Sequence, residues 1–163
     1  MGERLSHTII ARERVANERP VQDVPRTHGN GQGQPLSLCQ EGGLVFAGRH
    51  LLIELWGASH LTSMDDIRRI LEEAVAACHA TLLHIDLHRF SPTNGVSGVA
   101  VLGESHMSIH TWPEHEYAAV DVFMCGSLDP RKAIPVLKEG FRPRRVQIME
   151  VKRGMMDADD VVL

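Results

Sequence analysis

The sequence predicts an α+β fold, a two-layer sandwich in which a mainly antiparallel sheet carries two helices on one face. Six short apolar stretches, bounded by Gly, Pro, Ser or Asn, read as strands. One long segment repeats apolar residues at helical spacing behind a capping serine, and a second opens with Asp129 and Pro130. Taken along the chain they give the order β-α-β-β-β-β-α-β, which lets both helices cover the same face of the sheet. The other face then needs a partner or a substrate to cover it, so the protomer is expected to dimerise.

The first strand is "RHLLIELW" (49–56), with Leu51, Ile53 and Leu55 on one face and Leu52, Glu54 and Trp56 on the other. Ser63 caps "MDDIRRILEEAVAACHA", where Ile67, Ile70, Leu71, Ala74, Val75 and Cys78 share a helical stripe. Asp65 and Asp66 suit the positive end of that helix. "TLLHIDLH" (81–88), "VSGVAVL" (96–102), "HMSIHTW" (106–112) and "YAAVDVFMC" (117–125) follow as strands. Pro135 should kink or shorten the second helix, and Gly140 should end it. The last strand is "RRVQIMEV" (144–151).

A chain of 163 residues with 43% apolar content suits one globular domain. Residues 1–42, which include "THGNGQGQP", lack apolar periodicity and are expected to form a disordered extension ahead of a domain spanning 43–163. A net charge of −4 without long single-sign runs gives no nucleic-acid footprint; Arg142, Arg144 and Arg145 read as a solvated end. No apolar run reaches membrane-spanning length or forms a signal-peptide core. Cys39, Cys78 and Cys125 are odd in number and unrelated in spacing, which fits a reducing cytoplasm better than a disulfide framework or a paired zinc motif.

The stretch "GESHMSIHTW" (103–112) concentrates Glu104, Ser105, His106, Ser108 and His110 in one short strand and its entrance. A period of two puts His106, Ser108 and His110 on one face, with Ser105 beside a turn at Gly103 and Glu104. There, a hydroxyl can reach the preceding carbonyl, a geometry that favours self-cleavage. From pattern alone, the plainer reading is that Ser105 is a turn residue and the two histidines are ordinary polar strand residues. Cys125 shares a face with Asp121 and Phe123, off the helix-covered core, and reads either as inert packing or as a reactive thiol. His84 with His88, and His106 with His110, share strand faces, but no completing ligand makes a recognisable metal signature, so no metal is expected. "NGVSG" lacks the lysine of a phosphate loop; Gly95 and Gly98 mark a turn and a close approach of strands.

The strings "HRF" (88–90), "GVSGVAVL" (95–102), "ESHMSIHTWPE" (104–114) and "AAVDVFMCG" (118–126) occur in order and closely resemble the prokaryotic S-adenosylmethionine decarboxylase proenzyme family, from about Gly48 to Gly154. That resemblance implies that Ser105 attacks the carbonyl of Glu104 and that the chain splits into a beta chain (1–104) and an alpha chain (105–163). It implies that the alpha chain begins with a pyruvoyl group made from Ser105, which forms a Schiff base with the substrate. His110 would handle the proton of processing, with Ser97 assisting, and Cys125 would protonate the substrate carbon. By the same carry-over Phe90 would stack on adenine and Glu114 would accept bonds from ribose hydroxyls of S-adenosylmethionine. The product, decarboxylated S-adenosylmethionine, would supply aminopropyl groups for spermidine, and two cleaved protomers would assemble. Two rivals stay open on the sequence: a pyruvoyl enzyme acting on arginine or ornithine, and an unprocessed homologue that is no enzyme.

Overall fold

The computed structural model describes residues 38–103 and 105–156. Within them, seven strands form one sheet, β1 (Cys39–Glu41), β2 (Leu44–Trp56), β3 (Leu82–Arg89), β4 (Val96–Leu102), β5 (His106–Trp112), β6 (Tyr117–Cys125) and β7 (Arg145–Met156). Two helices, α1 (Met64–Ala77) and α2 (Ala133–Phe141), join them. Every pairing is antiparallel, and the sheet runs β7-β2-β6-β5-β4-β3, with β1 folded back on the start of β2. This is the expected α+β architecture with one strand more than the sequence pattern gave.

The alternation that marked the strands also builds the core. Leu51, Ile53 and Leu55 of β2, Val120, Val122 and Met124 of β6, and Met107 and Ile109 of β5 are buried against Ile67, Ile70 and Leu71 of α1 and Leu137 and Phe141 of α2. Each such side chain contributes about 1.5–3 kcal/mol by leaving water, so this layer dominates stability. Ser63 caps α1 as expected, its hydroxyl accepting the Asp66 N–H at 3.2 Å. Gly98 lets β3 come close: a Cβ there would lie 3.1 Å from the Leu87 Cα.

The second helix departs from expectation. Asp129 caps a single 3-10 turn at Pro130–Lys132, its carboxylate accepting the Arg131 N–H at 3.0 Å, and α2 begins only at Ala133. Pro135 therefore sits in the first turn of α2, where its missing N–H would have had no intrahelical partner, and it breaks nothing. Gly140 does not end the helix, which runs to Phe141 before the left-handed Arg142. Its lack of a side chain serves packing instead, since a Cβ would meet Ile70 of α1 at 2.6 Å.

Two boundaries also move. Cys39–Glu41 form β1 although they fall in the expected extension 1–42, and β2 and β7 run beyond their predicted ends as one ribbon paired from Val45–Met156 to Trp56–Arg145. Most of β7 is exposed on both faces, so its apolar alternation is weak and its far half is invisible to a periodicity argument. Residues 1–37 lie outside the described residues, so the expectation for them is not addressed by the structure. Among the described residues no helix is long and apolar enough to cross a membrane.

Candidate active site

The hairpin between β4 and β5 carries Ser105. Leu102 donates its N–H to the Ser105 carbonyl at 3.0 Å, and Gly103 donates to the Thr81 carbonyl at 3.1 Å, which fixes the turn from both sides. Glu104, the residue ahead of the expected cut, lies outside the described residues. The Ser105 hydroxyl oxygen accepts the backbone N–H of Cys125 at 3.1 Å, although the two are 20 residues apart. Both line a cavity of about 280 Å³ whose walls include Thr81, Ser127 and Leu128. The antiparallel pairing of β5 with β6 brings them together: His106 is opposite Phe123, so Ser105, just before His106, and Cys125, two residues past Phe123, meet at the same sheet end. Cys125 is half-buried on the helix-free face, as the alternation predicts.

Beyond Cys125 the chain turns at Gly126, whose φ of 62° is left-handed. The Cys39 thiol, buried in β1, donates to the Gly126 carbonyl at 2.9 Å. Burial pushes the Cys39 pKa up, which keeps this thiol protonated and able to donate.

A second group of candidates gathers at the opposite sheet end. Ser97 of β4 and His110 of β5 are paired directly across the ladder, and the Ser97 Oγ lies 2.7 Å from the His110 Nδ1. Phe90 follows β3, its N–H donating to the Gly95 carbonyl at 2.8 Å and its ring edge-on to His88 with centroids 4.8 Å apart. Its side chain is 48% exposed, so a face is open for stacking. Glu114 sits exposed in the 3-10 turn Pro113–His115 that follows β5.

The structure thus splits the expected site in two. Ser105 and His110 are five residues apart along an extended segment, about 16 Å at strand rise, so His110 does not stand beside the Ser105 hydroxyl of its own chain. One half holds Ser105 and Cys125; the other holds Ser97, His110, Phe90 and Glu114.

Between the halves, on the same helix-free face, lies a polar cluster that the sequence disclosed only in part. The Ser108 hydroxyl donates to Asp121 Oδ2 at 2.9 Å, and His50 Nε2 is 3.4 Å from Asp121 Oδ1. His106 packs its ring near His50 and Phe123, with centroid separations of 6.1 and 5.5 Å. Burial, with His50 next, lowers the His106 pKa below the usual histidine value. His50 was missed, and Asp121 stood out only as a face-mate of Cys125; an acid within the apolar run "YAAVDVFMC" was the available signal. Further along this face Trp56, Tyr117 and Trp112 stack in a row, and the Tyr117 hydroxyl meets Glu54. Burial, then that carboxylate, pushes the Tyr117 pKa up to about 12.

The model of the S-adenosylmethionine decarboxylase family matches residues 49–154, a span that holds both halves of the site. The chain belongs to the S-adenosylmethionine decarboxylase family. It is 53% identical over 110 residues to an S-adenosylmethionine decarboxylase proenzyme of Thermomicrobium roseum, covering 67% of this chain and 95% of the relative. A proenzyme of the same name from Methanococcus maripaludis strain C5 is 48% identical over 118 residues, covering 70% and 95%. Among solved structures, the adenosylmethionine decarboxylase of Aquifex aeolicus VF5 matches with a TM-score of 0.63 at 34% identity, covering 69% of this chain and 95% of that one. Strand β1 precedes the span matched to the S-adenosylmethionine decarboxylase family, yet it touches the turn that follows Cys125.

Proposed function

We propose that this chain is a self-cleaving proenzyme whose mature form uses a pyruvoyl group made from Ser105 to decarboxylate S-adenosylmethionine. The observation that carries this reading is the Ser105 hydroxyl, held by the Cys125 N–H beside a cavity that Cys125 also lines. The Ser105 Oγ attacks the Glu104 carbonyl carbon, the bond to the Ser105 nitrogen breaks, and the acyl group passes from nitrogen to oxygen. Loss of the Ser105 Cα proton then expels the Glu104 carboxylate by β-elimination. The dehydroalanine left behind takes up water and releases ammonia, which leaves the alpha chain (105–163) with a pyruvoyl start and frees the beta chain (1–104). His110, oriented by Ser97, moves the protons of these steps.

The surroundings of Ser105 suit that group, because the Cys125 N–H holds the hydroxyl oxygen that leaves with the beta chain and the cavity is open beside residue 105. When formed, the pyruvoyl ketone supplies an electron sink for the substrate alpha carbon as carbon dioxide leaves. Cys125 holds the proton returned to that carbon, Phe90 stacks on the adenine, and Glu114 accepts from the ribose hydroxyls. The product is S-adenosylmethioninamine, the aminopropyl donor for spermidine, and the reaction is cytoplasmic.

The separation of the two halves supports a dimer. A second copy laid on the helix-free face brings its Ser97, His110, Phe90 and Glu114 to the Ser105 and Cys125 of the first, so that two half-sites make one. Mixing tests both claims. Ser105→Ala and His110→Ala chains, each uncut alone, should yield cleaved Ser105 when coexpressed, because the mixed dimer contains one intact pair. No cleavage in the mixture would mean that the pair acts within one chain. Decarboxylation of arginine or ornithine, with none of S-adenosylmethionine, would overturn the substrate.

A further inference from the structure

We propose that Thr111 is the positioning residue for the Ser97–His110 pair, its hydroxyl pinning β4 and β5 in the register at which the two side chains meet. Thr111 is the one buried polar side chain among the described residues, 6% exposed on the core face of β5. Its Oγ1 accepts the Val96 N–H at 2.7 Å and donates to the Leu61 carbonyl at 2.8 Å. Thr111 is next to His110 in sequence, and Val96 is next to Ser97. The hydroxyl therefore ties together the two backbones that present the pair, and anchors them to the loop between β2 and α1.

The strands meet here with no spare room. A Cβ added at Gly95 would lie 2.7 Å from the Thr111 carbonyl oxygen. Without the Thr111 hydroxyl the Val96 N–H and the Leu61 carbonyl would each be left unpaired in a dry site, a state relieved by shifting the start of β4. A shift of a few tenths of an ångström at Val96 moves Ser97 relative to His110, since their 2.7 Å contact sits at the last pair of the β4–β5 ladder, next to Val96 and Thr111. A group that must take and return a proton is sensitive to such displacement. Thr111 touches no reacting atom, so it acts only through Ser97 and His110.

This inference rests on the assignment of His110 and Ser97 to self-cleavage, and the test separates the two. Full-length Thr111→Val and Thr111→Ser proteins are followed by denaturing intact mass for their rate of conversion to two chains, at several pH values, alongside His110→Ala. Thr111→Val should cleave about tenfold more slowly, with a displaced pH midpoint, while Thr111→Ser, which keeps both bonds, stays within about twofold. Ile109→Val, a core change on the same strand face, should leave the rate and midpoint as in the unaltered protein. If Thr111→Val fails to fold, Gly95→Ala decides, since it presses the same strands apart with the hydroxyl in place and should slow cleavage too. Normal cleavage by Thr111→Val, or by Gly95→Ala where that variant decides, overturns the inference, as does equal slowing by Thr111→Ser or Ile109→Val. Normal cleavage by His110→Ala overturns the assignment beneath it.

Discussion

Replacing Cys39 by alanine tests whether a strand outside the family span supports the candidate active site. The thiol is 4% exposed and donates to the Gly126 carbonyl, one residue past Cys125. Losing a net hydrogen bond costs about 0.5–1.5 kcal/mol, with a thiol at the low end, and losing the buried sulfur costs about 1 kcal/mol more. The sum, about 1–2 kcal/mol, should lower the unfolding midpoint by roughly 3–8 °C for a unit of this size. Function should respond as well, because Gly126 opens the turn that carries Ser127 and Leu128 into the cavity wall. With the carbonyl released, kcat for decarboxylation should fall severalfold, and Cys39→Ser, which restores a donor, should recover most of it. Thermal unfolding and carbon dioxide release from S-adenosylmethionine measure both effects. An unchanged midpoint together with an unchanged kcat would refute the reasoning, and with it any role for β1 in holding that turn.

Other outcomes follow from the same geometry. Cys125→Ala should still be cut into two chains, because it keeps the backbone N–H that holds Ser105, but its decarboxylation should fall at least about 100-fold, the lower range for a lost general acid; intact mass and carbon dioxide release distinguish the steps. His106 should make stability depend on pH. Its folded pKa lies below the unfolded value of about 6.5, so the unfolded chain binds more protons, and the stabilisation present above that pH is lost as pH falls through it. His106→Gln should therefore lose less stability than the unaltered protein between about pH 7.5 and 5.5, as read by denaturant midpoints. Leu71→Ala, which empties a fully buried position of α1, should cost about 2–5 kcal/mol in the same measurement.

Much of this fold was legible because a sheet with one covered face imprints a period of two. The spans predicted for β4, β5 and β6 are those observed, and the buried stripe of α1 matches its apolar spacing residue by residue. The signal weakened where burial did, so that β7 was read only as far as Val151 and β1 was not read at all. β7 is an edge strand with little buried surface, and β1 is three residues long, too short for any periodicity. Pro135 and Gly140 were read as breakers because local propensity does not know that one falls in a first turn and the other against Ile70. For the site, a motif gave the residue types but not their distances. "GESHMSIHTW" placed Ser105 and His110 close in sequence, and the extended backbone then carried them to opposite ends of the strand. The His50–Asp121–Ser108 contacts join three strands, so no single stretch of sequence contained them.

The central claim is that Ser105 becomes the start of a new chain, and denaturing intact-mass analysis of the purified protein tests it most directly. The account predicts two chains, residues 1–104 and 105–163, the second opening with a pyruvoyl group. Their summed mass should equal that of the 18.1 kDa proenzyme plus one water less one ammonia. A single 18.1 kDa chain that persists through prolonged incubation, with decarboxylase activity present, would contradict it.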